Sequence, residues 1–215
     1  MRGWLIGWFA SLAVASAGQA QQVRLAAFGA GSDYREQSSA LAFGGRGVGA
    51  SFELRLGRFG VAATGSRLQY RRVESAALDV EDFEAADLEV SVRVRLASLI
   101  GLEAGSIRRW VTPDQAAQSV GATRVGVRAD YALAPGADAS LRGGLVVGAK
   151  FSGGGSAKTG VSLGFGLSYG ARRRGVRLVV DYDFLRINRE TLGTIGIQPV
   201  PLQSSTARLG AMVVF

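Results

Sequence analysis

The sequence predicts an all-β protein: a closed, antiparallel, up-and-down β-barrel that crosses a membrane on its strands. Three observations carry that expectation. After residue 20, segments of about ten residues alternate apolar with polar-tolerant positions along almost the whole chain, the period of strands that present a different face to each side. The connectors between these segments alternate between short and long, as in barrels with tight turns at one rim and loops at the other. Beyond the first twenty residues, no run approaches the length of a transmembrane helix. A membrane-spanning form of this chain must therefore close its sheet, because open edges go unpaired in hydrocarbon.

Residues 1–20 read as a secretory signal peptide. Met1-Arg2 gives a positive start, Trp4 to Ala17 is apolar or small, and Gly18-Gln19-Ala20 places small residues before Gln21. The apolar stretch is too short to span, and no stop-transfer pattern follows it. Cleavage near Ala20 would leave residues 21–215 as a single barrel domain. Of the 25 basic residues Arg2 leaves with the signal, so 24 face 17 acidic ones, a net +7. Export argues against nucleic acid as a partner and points to anionic lipid headgroups or small anions. With no cysteine and no histidine, disulfides, thiolate metal sites and the commonest general base and metal ligand are all excluded. No cofactor is expected.

The strands follow in order. A first, weak one lies near Val23–Tyr34. Val48, Ala50, Phe52, Leu54 and Leu56 line one face opposite Gly49, Ser51, Glu53 and Arg55. After a Gly57-Arg58 turn the apolar face resumes at Phe59, Val61 and Ala63, but beyond Gly65 the parity shifts, with Leu68 and Tyr70 out of phase. A β-bulge, or a strand continuing above the membrane, would explain the shift. Val90 to Leu96 alternates with Ser91, Arg93 and Arg95, and Ile100, Leu102 and Ala104 follow a short turn at 97–99. Val125 to Leu133 runs to the Pro135-Gly136 turn. Leu141, Leu145, Val147 and Phe151 then face away from Arg142, Gly144 and Lys150. Val161 to Tyr169 and Val176 to Phe184 flank Arg172-Arg173-Arg174-Gly175, and Thr206–Phe215 is the last strand. Ten strands result, with eight as the main rival. Longer connectors are expected near 35–46, 73–87, 111–119, 152–158 and 188–204.

The final segment places Leu209, Ala211, Val213 and Phe215 on one face, with Arg208 and Gly210 on the other. A strand ending on an aromatic, in a chain that opens on an export signal, resembles the terminal strand of bacterial outer-membrane β-barrel proteins. Over the mature chain the resemblance is to the broad OmpA-like or OmpX-like group of short barrels, and it selects no subfamily. It implies an outer-membrane location, surrounding outer-membrane lipids, short periplasmic turns and extracellular loops. It also implies that the barrel-assembly machinery reads the last strand through Leu209, Ala211, Val213 and Phe215. No periplasmic peptidoglycan-binding domain is expected after the barrel. A soluble lipocalin-like or sandwich protein also alternates. The membrane reading is favoured by Gly- and Ser-rich polar faces and by aromatics at strand ends: Phe59, Tyr131, Tyr169 and Phe215 at the short turns, Trp110, Phe151, Tyr182 and Phe184 at the loops.

The polar faces carry Arg24, Arg55, Arg93, Arg95, Arg124, Arg128, Arg142, Lys150, Arg177 and Arg208, with Glu53, Glu103, Asp130, Asp181 and Asp183. They are expected to face the lumen, either as an Arg–carboxylate network filling it or as the lining of a narrow, porin-like passage for small anions. A barrel of this size is largely filled by its own side chains, which favours the network. The acidic stretch Glu74–Glu89 reads as a solvated extracellular loop, since its spacing fits no calcium-loop motif. The Arg172–Arg174 cluster reads as a turn held outside hydrocarbon, within reach of inner-leaflet headgroups. Ser152–Thr159 and Gly45–Gly49 approximate phosphate-loop and dinucleotide motifs, but each lacks the strand–turn–helix context those motifs need. The expected function is thus a non-enzymatic envelope-structural or surface-interaction barrel. The alternatives are a narrow anion channel and a lipid-modifying enzyme, although the small-barrel enzymes that the resemblance brings in rest on a histidine this chain lacks.

Overall fold

Hydrogen bonding closes the sheet into a ring. The structure, a computed structural model, describes residues 21–36, 41–73, 82–112, 116–193 and 196–215, so the expected signal peptide lies outside the described residues. The strands are β1 (Gln21–Glu36), β2 (Leu41–Leu56), β3 (Phe59–Arg72), β4 (Phe83–Arg95), β5 (Ile100–Thr112), β6 (Val120–Ala134), β7 (Ala137–Phe151), β8 (Ser156–Gly170), β9 (Gly175–Gly193), β10 (Gly196–Pro199) and β11 (Leu202–Val214). Successive strands from β1 to β9 pair antiparallel, β9 pairs with β11, and β11 pairs with β1. The short β10 pairs only with the top of β9 and stands outside the ring. Ten strands close the barrel, and the eight-strand alternative is excluded.

One outward band explains why the chain needs a bilayer. On β9, Val176, Leu178, Val180 and Tyr182 are exposed outward; on β8, Val161, Leu163, Phe165, Leu167 and Tyr169 are. On β4, Val90, Val92 and Val94 repeat the pattern. The run from Val176 to Phe184 rises about 26 Å along its strand, roughly 20 Å along the axis of a barrel tilted about 40°, near the apolar height such barrels present to lipid. Phe59, Tyr131, Tyr169 and Phe215 are exposed at the short-turn rim, as a lower aromatic girdle requires. At the other edge the outward residues turn charged: Asp33, Arg35, Arg46, Arg67, Arg108, Lys150 and Lys158 are all exposed.

Above that edge the strands do not stop. β2 begins at Leu41 and β4 at Phe83, so the connectors at the loop end are shorter than the sequence predicts. The β2–β3 and β3–β4 registers run unbroken through Gly65, so no bulge lies there. β3 continues beyond the lipid, where its outward face becomes polar (Arg67, Gln69, Arg71) and the apolar Leu68 and Tyr70 turn inward. The C-terminal part of the acidic stretch is corrected for the same reason: Glu84, Asp87 and Glu89 belong to β4 and are not part of a loop, while Glu74, Asp79 and Glu81 lie outside the described residues. Asp87 and Glu89 share the lumen-facing parity of Ser91 and Arg93.

A bulge does occur on β7. The β6–β7 register slips between Gly121 and Thr123, opposite a stretch in which Gly148 takes a φ of 61°. The slip reverses the parity beyond Val146. Lys150, predicted to face the lumen, is therefore exposed outside, and Phe151, predicted at the outer interface, is buried inside.

Candidate functional site: a lumen closed at one end

Two tiers of side chains fill the interior above an open cavity. The upper tier is an apolar cap built from the extended strand ends. Tyr34 of β1, Phe43 of β2, Tyr70 of β3 and Phe83 of β4 are all buried, with Tyr70 stacked on Phe83 at 4.7 Å and Phe43 edge-on to Phe83 at 4.9 Å. Leu68 of β3, Val111 of β5, Ile187 of β9 and Leu202 of β11 join them. Tyr70 donates to the Ser32 hydroxyl across 3.0 Å, and Ser32 shares a 3.0 Å hydrogen bond with Thr206, whereas the buried Tyr34 hydroxyl has no hydrogen-bond partner. Burial pushes the Tyr34 phenol well above its ordinary ionisation range, which keeps the cap uncharged. Connectors are drawn over this end by Arg189, which donates to Gln118 and to the Gly154 carbonyl at 3.0 Å each, its guanidinium 4.5 Å from the Phe151 ring.

The middle tier is ionic. Arg124 of β6 bridges Glu89 of β4 and Glu103 of β5, while Asp183 of β9 is shared by Arg142 of β7 and Arg208 of β11. Arg142 also lies 3.7 Å from Glu89, which joins the two halves across the lumen. Between this tier and the cap, Arg109 holds Asp87 through two parallel hydrogen bonds of 2.6 and 2.8 Å. The Arg109 fork matches the Asp87 carboxylate edge to edge, and the shared carboxylates below it tie together strands around the lumen.

Below lies open space, a cavity of 440 Å³ reaching the short-turn rim at Ser98, Leu99 and Arg172. Its wall holds Arg24, Arg55 and Arg93 around the single carboxylate of Glu53, at 3.4, 2.7 and 3.4 Å. Arg128 sits beside Asp130 at 2.8 Å, and Arg93 reaches Glu103 at 3.2 Å. Asp181 lines the same cavity without an ion pair among the described residues.

The structure thus brings together Arg24, Glu53, Arg55, Arg93, Glu103, Arg124, Arg128, Asp130, Arg142, Asp181, Asp183 and Arg208 around the lumen. Arg95 keeps the inward parity but is exposed at the rim, and Lys150 lies outside. Arg177 is 2% exposed and serves the rim itself: it bonds Asp138 at 2.5 Å, the Ser168 hydroxyl at 2.8 Å and the Ala171 carbonyl, tying two short turns together. Arg172 shares Asp138 at 3.0 Å, while Arg173 and Arg174 stay exposed. Asp87, Glu89, Arg109, Asp138 and Arg189 escaped the sequence reading, although the first three continue the inward parity of strands that were recognised. Leu209, Ala211, Val213 and Phe215 share the exposed outer face of the last strand, as expected.

No protein-family model and no curated protein matches the sequence. Solved structures do resemble the fold. The outer-membrane protease OmpT of Escherichia coli aligns over 94% of this chain and 99% of its own, with 7% identity and a TM-score of 0.50. Neisserial surface protein A aligns over 89% and 96%, with 15% identity and a TM-score of 0.42. Ail, the attachment invasion locus protein of Yersinia pestis, aligns over 90% and 98%, with 13% identity and a TM-score of 0.37. At these identities the likeness speaks for architecture alone, and that architecture is the small bacterial outer-membrane β-barrel.

Proposed function

We propose that this outer-membrane-type barrel is a non-conducting, non-enzymatic envelope protein whose role is structural or surface-directed. The observation that carries the reading is the cap: strands outgrow the lipid band and fill the loop-end lumen with Tyr34, Phe43, Tyr70 and Phe83 above a tier of matched charges. An ion crossing it would have to leave water for an apolar, uncharged plug. In planar bilayers at molar salt the refolded protein is expected to give no conductance steps above background. Regular steps with an anion-favouring reversal potential would replace this reading with the narrow anion passage, which the arginine-lined cavity below the cap supports as the second reading.

The surface side of the proposal rests on the charged edge of the band. Arg46, Arg108 and Lys150 are exposed there without ion pairs among the described residues, at the depth where outer-leaflet lipids carry their phosphates. Outer-membrane lipids are therefore the proposed partners on the outer wall. The barrel-assembly machinery is the proposed partner of β11, through the exposed row Leu209, Ala211, Val213 and Phe215. Replacing Val213 and Phe215 together by Ser is expected to lower outer-membrane yield several-fold while export across the inner membrane continues. An unchanged yield removes that row from the assembly step.

A further inference from the structure

The charge surplus of the lumen is not spread evenly. In the middle tier three guanidinia, Arg124, Arg142 and Arg208, meet three carboxylates, Glu89, Glu103 and Asp183. Around the open cavity below, Arg24, Arg55, Arg93 and Arg128 meet Glu53 and Asp130, and Arg93 also shares Glu103 with the middle tier. The cavity wall also holds Asp181, on β9 in register with Arg208 on the side of the middle tier, and Asp138, which Arg172 and Arg177 share at the rim. The positive excess is therefore concentrated where the interior is empty and open to the short-turn side.

Glu53 makes the point in detail. One carboxylate serves three guanidinia, two of them at the long distance of 3.4 Å, so the arginine donors outnumber its lone pairs. The Nε of Arg93 is buried and has no hydrogen-bond partner. In the middle tier, by contrast, guanidinia and carboxylates are equal in number, three of each. Around Glu53 the guanidinia outnumber the carboxylate three to one, with Gln22 as an added acceptor for Arg24 at 2.8 and 3.1 Å. The cavity volume of 440 Å³ lies within the range of small-molecule sites.

We propose that this cavity is a binding site for a small phosphate-bearing solute entering from the short-turn, periplasmic side, with Arg24, Arg55, Arg93 and Arg128 as its recognition groups and Glu53 as the built-in anion it competes with. The solute is soluble rather than a lipid headgroup, because strand pairing is continuous around the barrel and leaves no lateral door to the bilayer. Phosphate suits the site because guanidinium forks approaching from several strands can each take two of its oxygens. The cap closes the opposite end, so the ligand enters and leaves by the same mouth. The site holds whether or not the barrel conducts.

The test is a ³¹P NMR titration of the refolded protein in a phosphate-free detergent, with inorganic phosphate as the probe. Wild type is expected to show saturable binding at one site. Arg55→Gln, which removes a rim-side donor bonded to Glu53 alone, is expected to weaken binding about tenfold, the loss of one charge-assisted contact. Glu53→Gln is expected to tighten it by a similar factor, because the competing anion is gone. That gain is one that a merely structural carboxylate would not produce. Folding of each variant is read from its heat-modifiable migration on gels, and Arg55→Gln alone decides the matter if Glu53→Gln does not fold. Non-saturable binding in wild type, or equal affinity in wild type and a folded Arg55→Gln, overturns the proposal.

Discussion

Replacing Glu103 by Gln is expected to destabilise the barrel by about 3–5 kcal/mol, the cost of leaving a buried charge without its partner. Glu103 is 6% exposed and serves two arginines on different strands, Arg124 of β6 and Arg93 of β4 at 3.2 Å. In the unfolded chain both guanidinia are hydrated, so the native state alone bears the loss. The neutral amide still fills the space and still accepts a hydrogen bond, which isolates charge from volume. Glu84 is the control, because its partner Arg67 is 74% exposed, and Glu84→Gln should cost no more than about 1 kcal/mol. Equilibrium urea unfolding of the refolded proteins in lipid vesicles measures both. Equal midpoints for the two variants would show that the middle tier fills the lumen without contributing to its stability.

How far the sequence reveals this molecule follows from what a period of two can carry. Alternation assigns each residue to a face, and for most of the barrel that suffices: Arg93, Glu103, Arg128 and Asp183 are found inside, and Phe59, Tyr169 and Phe215 outside at the rim. It does not say what lies against a face. Leu68 and Tyr70 kept the lumen phase of β3 and looked like a defect only because apolar residues were assigned to lipid. Above the bilayer the outside is water, and apolar side chains belong within. The charge of Asp87 and Glu89 suggested a loop for the converse reason, since nothing local reveals that Arg109 waits on the next strand and Arg124 on the one beyond it. Lys150 was lost to one residue: Gly148 adopts a conformation with positive φ that reverses every face beyond it, and a glycine among so many carries no local mark of that. The surplus of arginine over carboxylate was legible as composition, but its concentration at the open end needed the register.

The glycines themselves carry the second large effect. Gly49→Val is expected to abolish refolding. A β-carbon there would stand 2.4 Å from the Gly65 carbonyl oxygen and 2.5 Å from the Phe28 ring, so both a backbone and a rigid side chain would have to move. Phe28 is paired in register with Gly210 on one side and Gly49 on the other, buried against both strands, with the Arg208 guanidinium 5.6 Å from its ring. The lumen is narrow, and a large inward side chain on one strand needs a vacancy on the next. The Tyr70 ring over Gly45 and Arg142 over Gly164 repeat that arrangement. Displacing Phe28 would also disturb Arg208 and through it Asp183, so the cost exceeds the roughly 1–3 kcal/mol of simple overpacking. Gly29→Ala, the neighbouring outward position with nothing within 4 Å of its β-carbon, should change stability by less than about 0.5 kcal/mol. The fraction of each variant that shows heat-modifiable migration after refolding separates the two. If Gly49→Val folds as fully as Gly29→Ala, the glycines of the polar face are not there to make room for the rings and forks of their neighbours, and the filling of the lumen has another origin.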